Sequence, residues 1–231
     1  MRYGVVGLGP VGAIFAAVLG QQKHQVSVLC RNPTRAEYFR HTPLKLSGKI
    51  QAEWQAEHIH TSLDSFLADK PEILLICTKA SQTVDLMRSI KAMGVSDATT
   101  FVSCQNGIDS EQQIADVFGA QRTLRMVLNL GCNFVKVHEV WVEFCFQHVL
   151  SANADSSGAD QRICNDFVRA GLKVELRRDY KEDVFRKAIL NTALSTACAL
   201  TRLTMRQAKT DPEIERMVRE IVRESLLVAE A

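Results

Sequence analysis

The chain lacks several features that mark specialised classes of protein. Its seven cysteines show no Cys-x-x-Cys spacing, and its 28 Lys and Arg residues nearly balance its 26 Asp and Glu residues. An odd number of scattered cysteines predicts free thiols in a cytoplasmic protein rather than a disulfide scaffold. The balanced charge gives no general case for binding nucleic acid or a membrane surface. With 231 residues, we expect an ordinary globular protein of one large or two small domains.

Membrane and secretion signals are also missing. The apolar stretch at residues 5–19 is too short to span a bilayer. No convincing basic segment precedes the stretch and no cleavage site follows it, so we do not expect a signal peptide. Glycine and proline interrupt this stretch in a spacing that indicates a different role.

The segment Gly7-Leu-Gly-Pro-Val-Gly12 places Gly-x-Gly-x-x-Gly between a predicted strand at residues 3–6 and a predicted helix at 13–19. Gly7 permits a tight turn, and Gly9 lets the backbone approach a pyrophosphate. Gly12 lets the helix pack closely on the strand. Unpaired N–H groups at the start of that helix favour negative charge. The motif therefore predicts a dinucleotide-binding site.

The second predicted strand, residues 25–30, is followed by Arg31. Proteins that bind NAD place Asp or Glu here to bind the ribose 2′-hydroxyl, whereas arginine suits a 2′-phosphate. No carboxylate lies between the glycine motif and Glu37, and Asn32 and Arg35 are placed to assist. We predict NADP(H) rather than NAD(H) as the cofactor. The alternative is that Arg31 is a solvated loop residue.

Strands and helices alternate through residues 1–178, which predicts an α/β fold with a doubly wound Rossmann-type sheet. Further helices are predicted within 33–44 and at 62–68, 81–93, 109–118 and 160–169, and strands at 72–77, 99–104 and 172–176. Asp109 or Ser110 is the expected cap of the 109–118 helix. Mixed polar residues precede His60 and predict no strand. The strand-like runs between 122 and 152, including 140–146, are expected to extend the sheet with antiparallel strands.

Residues from Lys181 onward are predicted to be helical, so we place a domain boundary near Asp179. Residues 1–178 would form the NADP-binding domain. Residues 179–231 would form a helical domain for substrate binding and dimerisation.

Polar residues follow two strands at the sheet edge that also carries the glycine motif. Lys79 follows one strand, and Gln105-Asn106-Gly107 follows the next. Ligands of open α/β sheets bind beyond the carboxyl ends of the strands. We expect Lys79 to contact the nicotinamide ribose or an anionic substrate, and Asn106 to form hydrogen bonds at the same place. Taken singly, each would be an ordinary loop residue.

A second polar group lies on the predicted helix at residues 184–200. Lys187, Asn191 and Ser195 recur every four residues and share one face, while the other sides are apolar. Such a helix is expected to be buried, and a buried lysine without a purpose is costly. We therefore expect Lys187 to act as a general acid with a pKa lowered by burial. The alternative is a lysine that reaches solvent.

His58 and His60 are close in sequence but have no convincing set of further ligands, so we predict no metal site.

Together these segments resemble the 2-dehydropantoate 2-reductase (ketopantoate reductase) family. The matching segments are Gly7-Leu8-Gly9-Pro10-Val11-Gly12, Cys30-Arg31, Cys77-Thr78-Lys79-Ala80, Gln105-Asn106-Gly107 and Arg186-Lys187-x-x-x-Asn191. The resemblance implies an enzyme of pantothenate and coenzyme A biosynthesis. Its reaction would be hydride transfer from NADPH to the C2 ketone of a small 2-oxo acid, 2-dehydropantoate, yielding pantoate.

The resemblance also implies roles for individual residues. Lys187 would protonate the alkoxide, Asn191 and Ser195 would bind substrate, Asn106 would contact substrate and cofactor, Lys79 would line the cofactor pocket, and Arg31 would hold the 2′-phosphate. Ser195 and Met205 replace asparagines of the family. Two alternatives stay open: a related reductase of another 2-oxo acid, and a catalytically silent NADPH-binding fragment.

Members of the family continue with more helices, which carry a serine for the substrate carboxylate and a glutamate near the cofactor. We expect this chain to lack them. The predicted last helix, residues 211–231, has an apolar stripe that needs a partner. Either further residues or a second subunit would cover it, and a homodimer through the C-terminal helices follows from the second choice.

Overall fold

Alternating hydrophobic strands and helices build the first part of the chain, and helices alone build the rest. The computed structural model describes residues 1–230. Its strands are β1 (Arg2–Val6), β2 (Gln25–Leu29), β3 (Leu44–Gly48), β4 (Ala52–Trp54), β5 (His58–His60), β6 (Ile73–Ile76), β7 (Thr100–Ser103), β8 (Thr123–Val127), β9 (Leu130–Lys136), β10 (Glu139–Cys145), β11 (His148–Ser151) and β12 (Val174–Arg177).

The helices follow the same numbering along the chain. They are α1 (Pro10–Gln21), α2 (Pro33–His41), α3 (Leu63–Leu67), α4 (Thr83–Met93), α5 (Gln112–Phe118), α6 (Ala159–Arg169), α7 (Lys181–Leu190), α8 (Thr196–Thr201), α9 (Met205–Ala208) and α10 (Pro212–Glu230). Short 3₁₀ turns occupy Ala80–Gln82 and Ala120–Arg122, and a π-helical segment, Asn191–Ser195, joins α7 to α8. No helix within residues 1–230 is both long and apolar enough to cross a membrane.

The central sheet has eight strands in the order β12-β11-β8-β7-β6-β1-β2-β5. The six strands from β8 to β5 are parallel to their neighbours, and β11 pairs with β8 in the antiparallel sense. Successive residues of one strand face opposite sides, so Val5 joins the core beneath α1 whereas Val6 joins the core beneath α3 and α4. Helices therefore cover both faces, and the predicted α/β fold with a doubly wound sheet is confirmed.

A second sheet, in the order β4-β3-β10-β9, corrects two predictions. The polar segment before His60 contains three strands, and β10, within the 140–146 run, joins this second sheet rather than extending the first. The reason is that β10 alternates: Val140 and Val142 are buried while Trp141 is exposed. A strand with one wet face belongs to a sheet that is covered on one side only.

The start of α5 corrects a third prediction. The helix begins at Gln112, and its N-cap residue, Glu111, makes no side-chain capping bond. Ser110 is buried and its hydroxyl lies 2.8 Å from the hydroxyl of Ser103. Asp109 adopts a left-handed backbone conformation with φ of +55°. Tertiary hydrogen bonding thus occupies the hydroxyl that local sequence would assign to the cap.

The chain divides into two compact units, residues 1–178 and the residues from Asp179 onward. In the second unit, Thr204 and Gln207 form a reciprocal capping box that starts α9. Ala197, Ala208 and Ile214 form a small core of this unit. Among the residues described, α10 buries Ile214, while Leu227 is 61% exposed.

The helical run of α7, the π-helical segment and α8 is not buried on all sides, contrary to the prediction for residues 184–200. Ala193 and Ala197 are fully buried, but Leu190 is 51% and Leu200 73% exposed. The small residues face the other helices of the unit, whereas these leucines have no such cover within the described chain. An apolar helix surface predicts burial only where an element is present to cover it.

Candidate functional site

The glycine motif forms the turn between β1 and α1. Gly7 has φ of +100°, a conformation that side chains disfavour. A Cβ on Gly12 would lie 2.0 Å from the carbonyl oxygen of Gly7, so only glycine lets α1 approach the turn this closely. A Cβ on Gly9 would meet no atom within 4 Å and would project into open space. The turn is therefore tight on the protein side and open where a ligand would approach.

A cavity of about 720 Å³ opens at this turn, where the carboxyl ends of β1, β2 and β6 meet. Its walls include Gly7, Leu8, Gly9, Arg31, Asn32, Arg35, Thr61, Cys77, Thr78, Ser81, Gln82 and Asp85. This volume falls within the range of roughly 300–1,000 Å³ that is typical of small-molecule sites. The cavity also lies where open α/β sheets bind their ligands.

Two arginines from the β2–α2 segment, Arg31 and Arg35, line the cavity. Arg31 is exposed, and its guanidinium donates to Oε1 of Gln82 at 3.0 Å. Asn32 caps α2 by accepting a hydrogen bond from the Arg35 N–H at 3.0 Å. The guanidinium of Arg35 stacks on the ring of Phe134 at 4.3 Å, and burial lowers its pKa from a high usual value. Two positive side chains thus border the cavity.

Asp85 of α4 also lines the cavity. Inspection of the β2–α2 segment alone does not reveal this residue. Its side chain is 90% exposed and lies 3.9 Å from the guanidinium of Arg88. The carboxylate is therefore free to turn toward solvent. The open space at Gly9, the start of α1 and the two arginines together suit an anionic ligand such as a dinucleotide.

Cys77 faces the cavity as a neutral thiol. A hydrogen bond with Cys104, together with burial, raises its pKa well above the usual value. Both cysteines are free. Because the thiolate is the reactive form, this pair packs as small apolar side chains rather than as a nucleophile.

The loops that carry Lys79 and Asn106 are held side by side by Gln105. The buried amide of Gln105 donates to the carbonyl oxygen of Thr78 at 3.0 Å and to the hydroxyl of Thr83 at 2.8 Å. Lys79 and Asn106 themselves are exposed and lie outside the residues that line the cavity. Their contacts with cofactor and substrate stay predictions.

Arg125 of β8 contacts the loop that carries Asn106. Sequence reasoning did not identify this residue. Its side chain is 2% exposed and donates to the carbonyl oxygen of Gly107 at 3.0 Å. It also contacts the hydroxyl of Ser110 and lies 3.3 Å from a carboxylate oxygen of Glu111. The available signal was one charged residue inside the otherwise apolar strand Thr-Leu-Arg-Met-Val.

Lys187, Asn191 and Ser195 all lie in the second unit on the run that begins with α7. Lys187 and Asn191 are half-buried and Ser195 is exposed. The π-helical segment spans Asn191–Ser195, so the backbone widens where two of the three residues lie. Such segments occur frequently at functional sites. The sequence pattern predicted the shared helix but not this local change.

The parallel sheet, the glycine turn and the cavity at the strand ends define a Rossmann-type protein. Comparison with known proteins narrows this class. The family model described as "Ketopantoate reductase PanE/ApbA" matches residues 3–153, and its C-terminal counterpart matches residues 179–231. The chain belongs to the PanE/ApbA ketopantoate reductase family. It is therefore an oxidoreductase of a family whose cofactor is a nicotinamide dinucleotide.

Individual relatives are distant in sequence but similar over the whole chain. The chain is 20% identical to a 2-dehydropantoate 2-reductase of Aquifex aeolicus (strain VF5), over 100% of its own length and 73% of the relative's. A PanE/ApbA family ketopantoate reductase from Ralstonia eutropha JMP134 superimposes with a TM-score of 0.87 at 20% identity, covering 100% of this chain and 74% of that one. D-mandelate dehydrogenase, solved with NADH, gives a TM-score of 0.84 at 17% identity, covering 100% and 73%.

Proposed function

We propose that this protein reduces 2-dehydropantoate to pantoate with NADPH, a step of pantothenate and coenzyme A biosynthesis. The match of the two parts of the family model to both units of the chain carries the proposal. It is supported by the glycine turn and the arginine-lined cavity in the first unit. The series Lys187, Asn191 and Ser195 in the second unit agrees with it.

The chain's own residues account for the binding of NADPH. The turn at Gly7, Leu8 and Gly9 and the start of α1 at Pro10, Val11 and Gly12 would hold the pyrophosphate. Arg31 would bind the 2′-phosphate, with Arg35 and Asn32 beside it. Lys79 and Asn106, on the loops joined by Gln105, would contact the nicotinamide half.

The chemical step requires a hydride and a proton. When bound, NADPH supplies a hydride to the C2 carbon of the ketone. Lys187 would donate a proton from Nζ to the ketone oxygen as negative charge develops there, and solvent would then reprotonate the amine. Asn191, Ser195 and Asn106 would bind the substrate and orient its carbonyl.

A related reductase of another 2-oxo acid is the second candidate. Ser195 and Met205 stand where the family has asparagines; Met205 begins α9, is 48% exposed and offers no hydrogen-bond donor. The fold does not select the acid, because D-mandelate dehydrogenase shares it.

A substrate panel separates the candidates. The kcat/KM for NADPH oxidation is measured with 2-dehydropantoate, phenylglyoxylate and smaller 2-oxo acids, against a blank without acid. Preference for 2-dehydropantoate by at least about tenfold supports the proposal. Preference for a different acid supports the second candidate. Tight NADPH binding without turnover of any acid indicates a catalytically silent NADPH-binding protein.

We also propose a cytoplasmic homodimer. All seven cysteines of the chain are free, which agrees with a reducing compartment. Leu226, Leu227 and Val228 of α10 are 49%, 61% and 73% exposed and would lie in the subunit contact. Sedimentation velocity should give twice the chain mass, and the Leu227→Glu variant should shift this toward the monomer.

A further inference from the structure

Three side chains of the kinds that bind metal ions lie together at the β5 edge of the central sheet. His58 and His60 lie two residues apart on the edge strand β5 and therefore project from the same face. Asp69, from the segment between α3 and β6, reaches both. Its Oδ2 lies 2.7 Å from Nε2 of His60 and 3.7 Å from Nδ1 of His58. None of the three lines the nucleotide cavity.

The carboxylate of Asp69 is held in place by a hydrogen bond from a neighbouring strand. Ser27 of β2 donates its hydroxyl to Oδ2 of Asp69 at 2.6 Å. The site therefore presents one carboxylate, fixed by this hydrogen bond, beside two imidazoles.

These distances suit a small divalent ion. In a tetrahedral zinc site with bonds of about 2.0–2.2 Å, neighbouring ligand atoms are roughly 3.3–3.6 Å apart. All three ligand atoms lie within 4.8 Å of one another, so the ring rotations needed are small. The side chain of His58 is 41% exposed, which leaves an open path for an ion and for a water as fourth ligand.

We propose that His58, His60 and Asp69 form a binding site for a divalent transition-metal ion such as Zn²⁺. Two imidazoles and one carboxylate are ligands that zinc prefers, whereas Mg²⁺ and Ca²⁺ prefer oxygen alone. The ion would tie the edge strand β5 to the segment that enters β6. Sequence inspection predicted no metal because the third ligand comes from beyond α3.

The site is tested with Co²⁺ as a spectroscopic substitute for Zn²⁺. The full chain is prepared without a histidine tag, treated with chelator and titrated with Co²⁺ alone. We expect visible d–d absorption at one equivalent per chain, and its loss on adding Zn²⁺. We also expect saturating Zn²⁺, at about a hundredfold excess over Kd, to raise the Tm by about 5–10 °C.

Variants assign the ligands. His58→Gln removes the most exposed ligand with least disturbance to the hydrogen bonds and should weaken Co²⁺ binding at least about tenfold. The His58→Cys variant should add a sulfur-to-cobalt charge-transfer band, which a residue that does not bind the ion would not produce. His41→Gln, on the exposed surface of α2, is the matched control and should bind as the unmodified chain does.

Three results would overturn the proposal. One is the absence of Co²⁺ and Zn²⁺ binding at millimolar concentration, which would leave the three residues as a hydrogen-bonded group. Another is binding that survives in the His58→Gln, His60→Gln double variant. The third is a charge-transfer band in the unmodified chain, because this would place the ion on cysteine.

Discussion

Arg31 and Lys187 are both positively charged, but their surroundings suit different tasks. Arg31 is exposed at the edge of the cavity, where its planar guanidinium can match phosphate oxygens. Lys187 is half-buried on α7, where its amine can exchange a proton. Each role predicts a different kinetic signature.

Arg31→Ala should weaken NADPH binding by about tenfold to a hundredfold, because a hydrogen bond to a charged group contributes about 1.5–3 kcal/mol. NADH has no 2′-phosphate, so its binding should change little. Fluorescence titration of both cofactors measures this, with Arg219→Ala on α10 as the control. Equal losses for the two cofactors would disprove the assignment of Arg31 to the 2′-phosphate.

Lys187→Ala should lower kcat on the order of a hundredfold or more if the amine is the general acid. Lys181→Ala, at the exposed start of the same helix, is the matched control and should retain kcat. Steady-state kinetics with NADPH and the preferred acid separate the two constants. A change in KM alone would leave Lys187 with a binding role only.

The sequence predicts the role of a residue when that role follows from its position relative to a nearby motif. Arg31 was identified because the end of the second strand has a fixed place relative to the glycine turn. Arg125 was not, because its partners Gly107 and Glu111 meet it only after β7 and β8 pair. Asp85 was not identified for a similar reason, because it lines the cavity only through the packing of α4.

Two glycines at the β1–α1 turn are expected to have different roles. Gly12 contributes to stability, and Gly9 contributes to cofactor binding. Gly12→Ala places a Cβ against backbone and should cost at least about 1–3 kcal/mol of unfolding free energy. Gly9→Ala meets open space and should cost less than about 1 kcal/mol, yet weaken NADPH binding. Thermal denaturation and cofactor titration of the two variants test this. A Gly12→Ala variant as stable as the unmodified chain would contradict the close packing.

The β8 strand and the loop after β7 depend on one buried ion pair. Arg125→Met should cost about 3–5 kcal/mol, since it removes one partner of a buried ion pair. The exposed Asp85–Arg88 pair is the comparison, and Arg88→Met should change stability by no more than about 1 kcal/mol. Urea denaturation measures both, and similar costs for the two variants would exclude a special role for the buried pair.

A strand buried on both faces is predictable from sequence, whereas short strands of mixed polarity are not. Strand β6, Ile-Leu-Leu-Ile, is buried on both sides and was identified at once. Strands β3, β4 and β5 are short and mix polar with apolar residues, so they resemble loops until they pair. The sequence of β10 predicts a strand, and its alternation of buried and exposed residues agrees with its place in the second sheet.

Across the whole molecule, the proposed chemistry is divided between the two units. The cavity and both arginines lie within residues 1–178, and Lys187, Asn191 and Ser195 lie in the helical unit. The spacing of these residues in the sequence does not assign them to one reaction. Only the resemblance to a family does so. The proposed reaction therefore requires residues from both units.

Transfer of deuterium from the cofactor to the product tests the proposed reaction. The full chain is supplied with 2-dehydropantoate and NADPH deuterated on the transferred position of nicotinamide C4, and the product is examined by mass spectrometry. We expect pantoate with one deuterium at C2, formed at least about a hundredfold more slowly by Lys187→Ala. Tight binding of NADPH with no deuterated pantoate would contradict the proposed reaction.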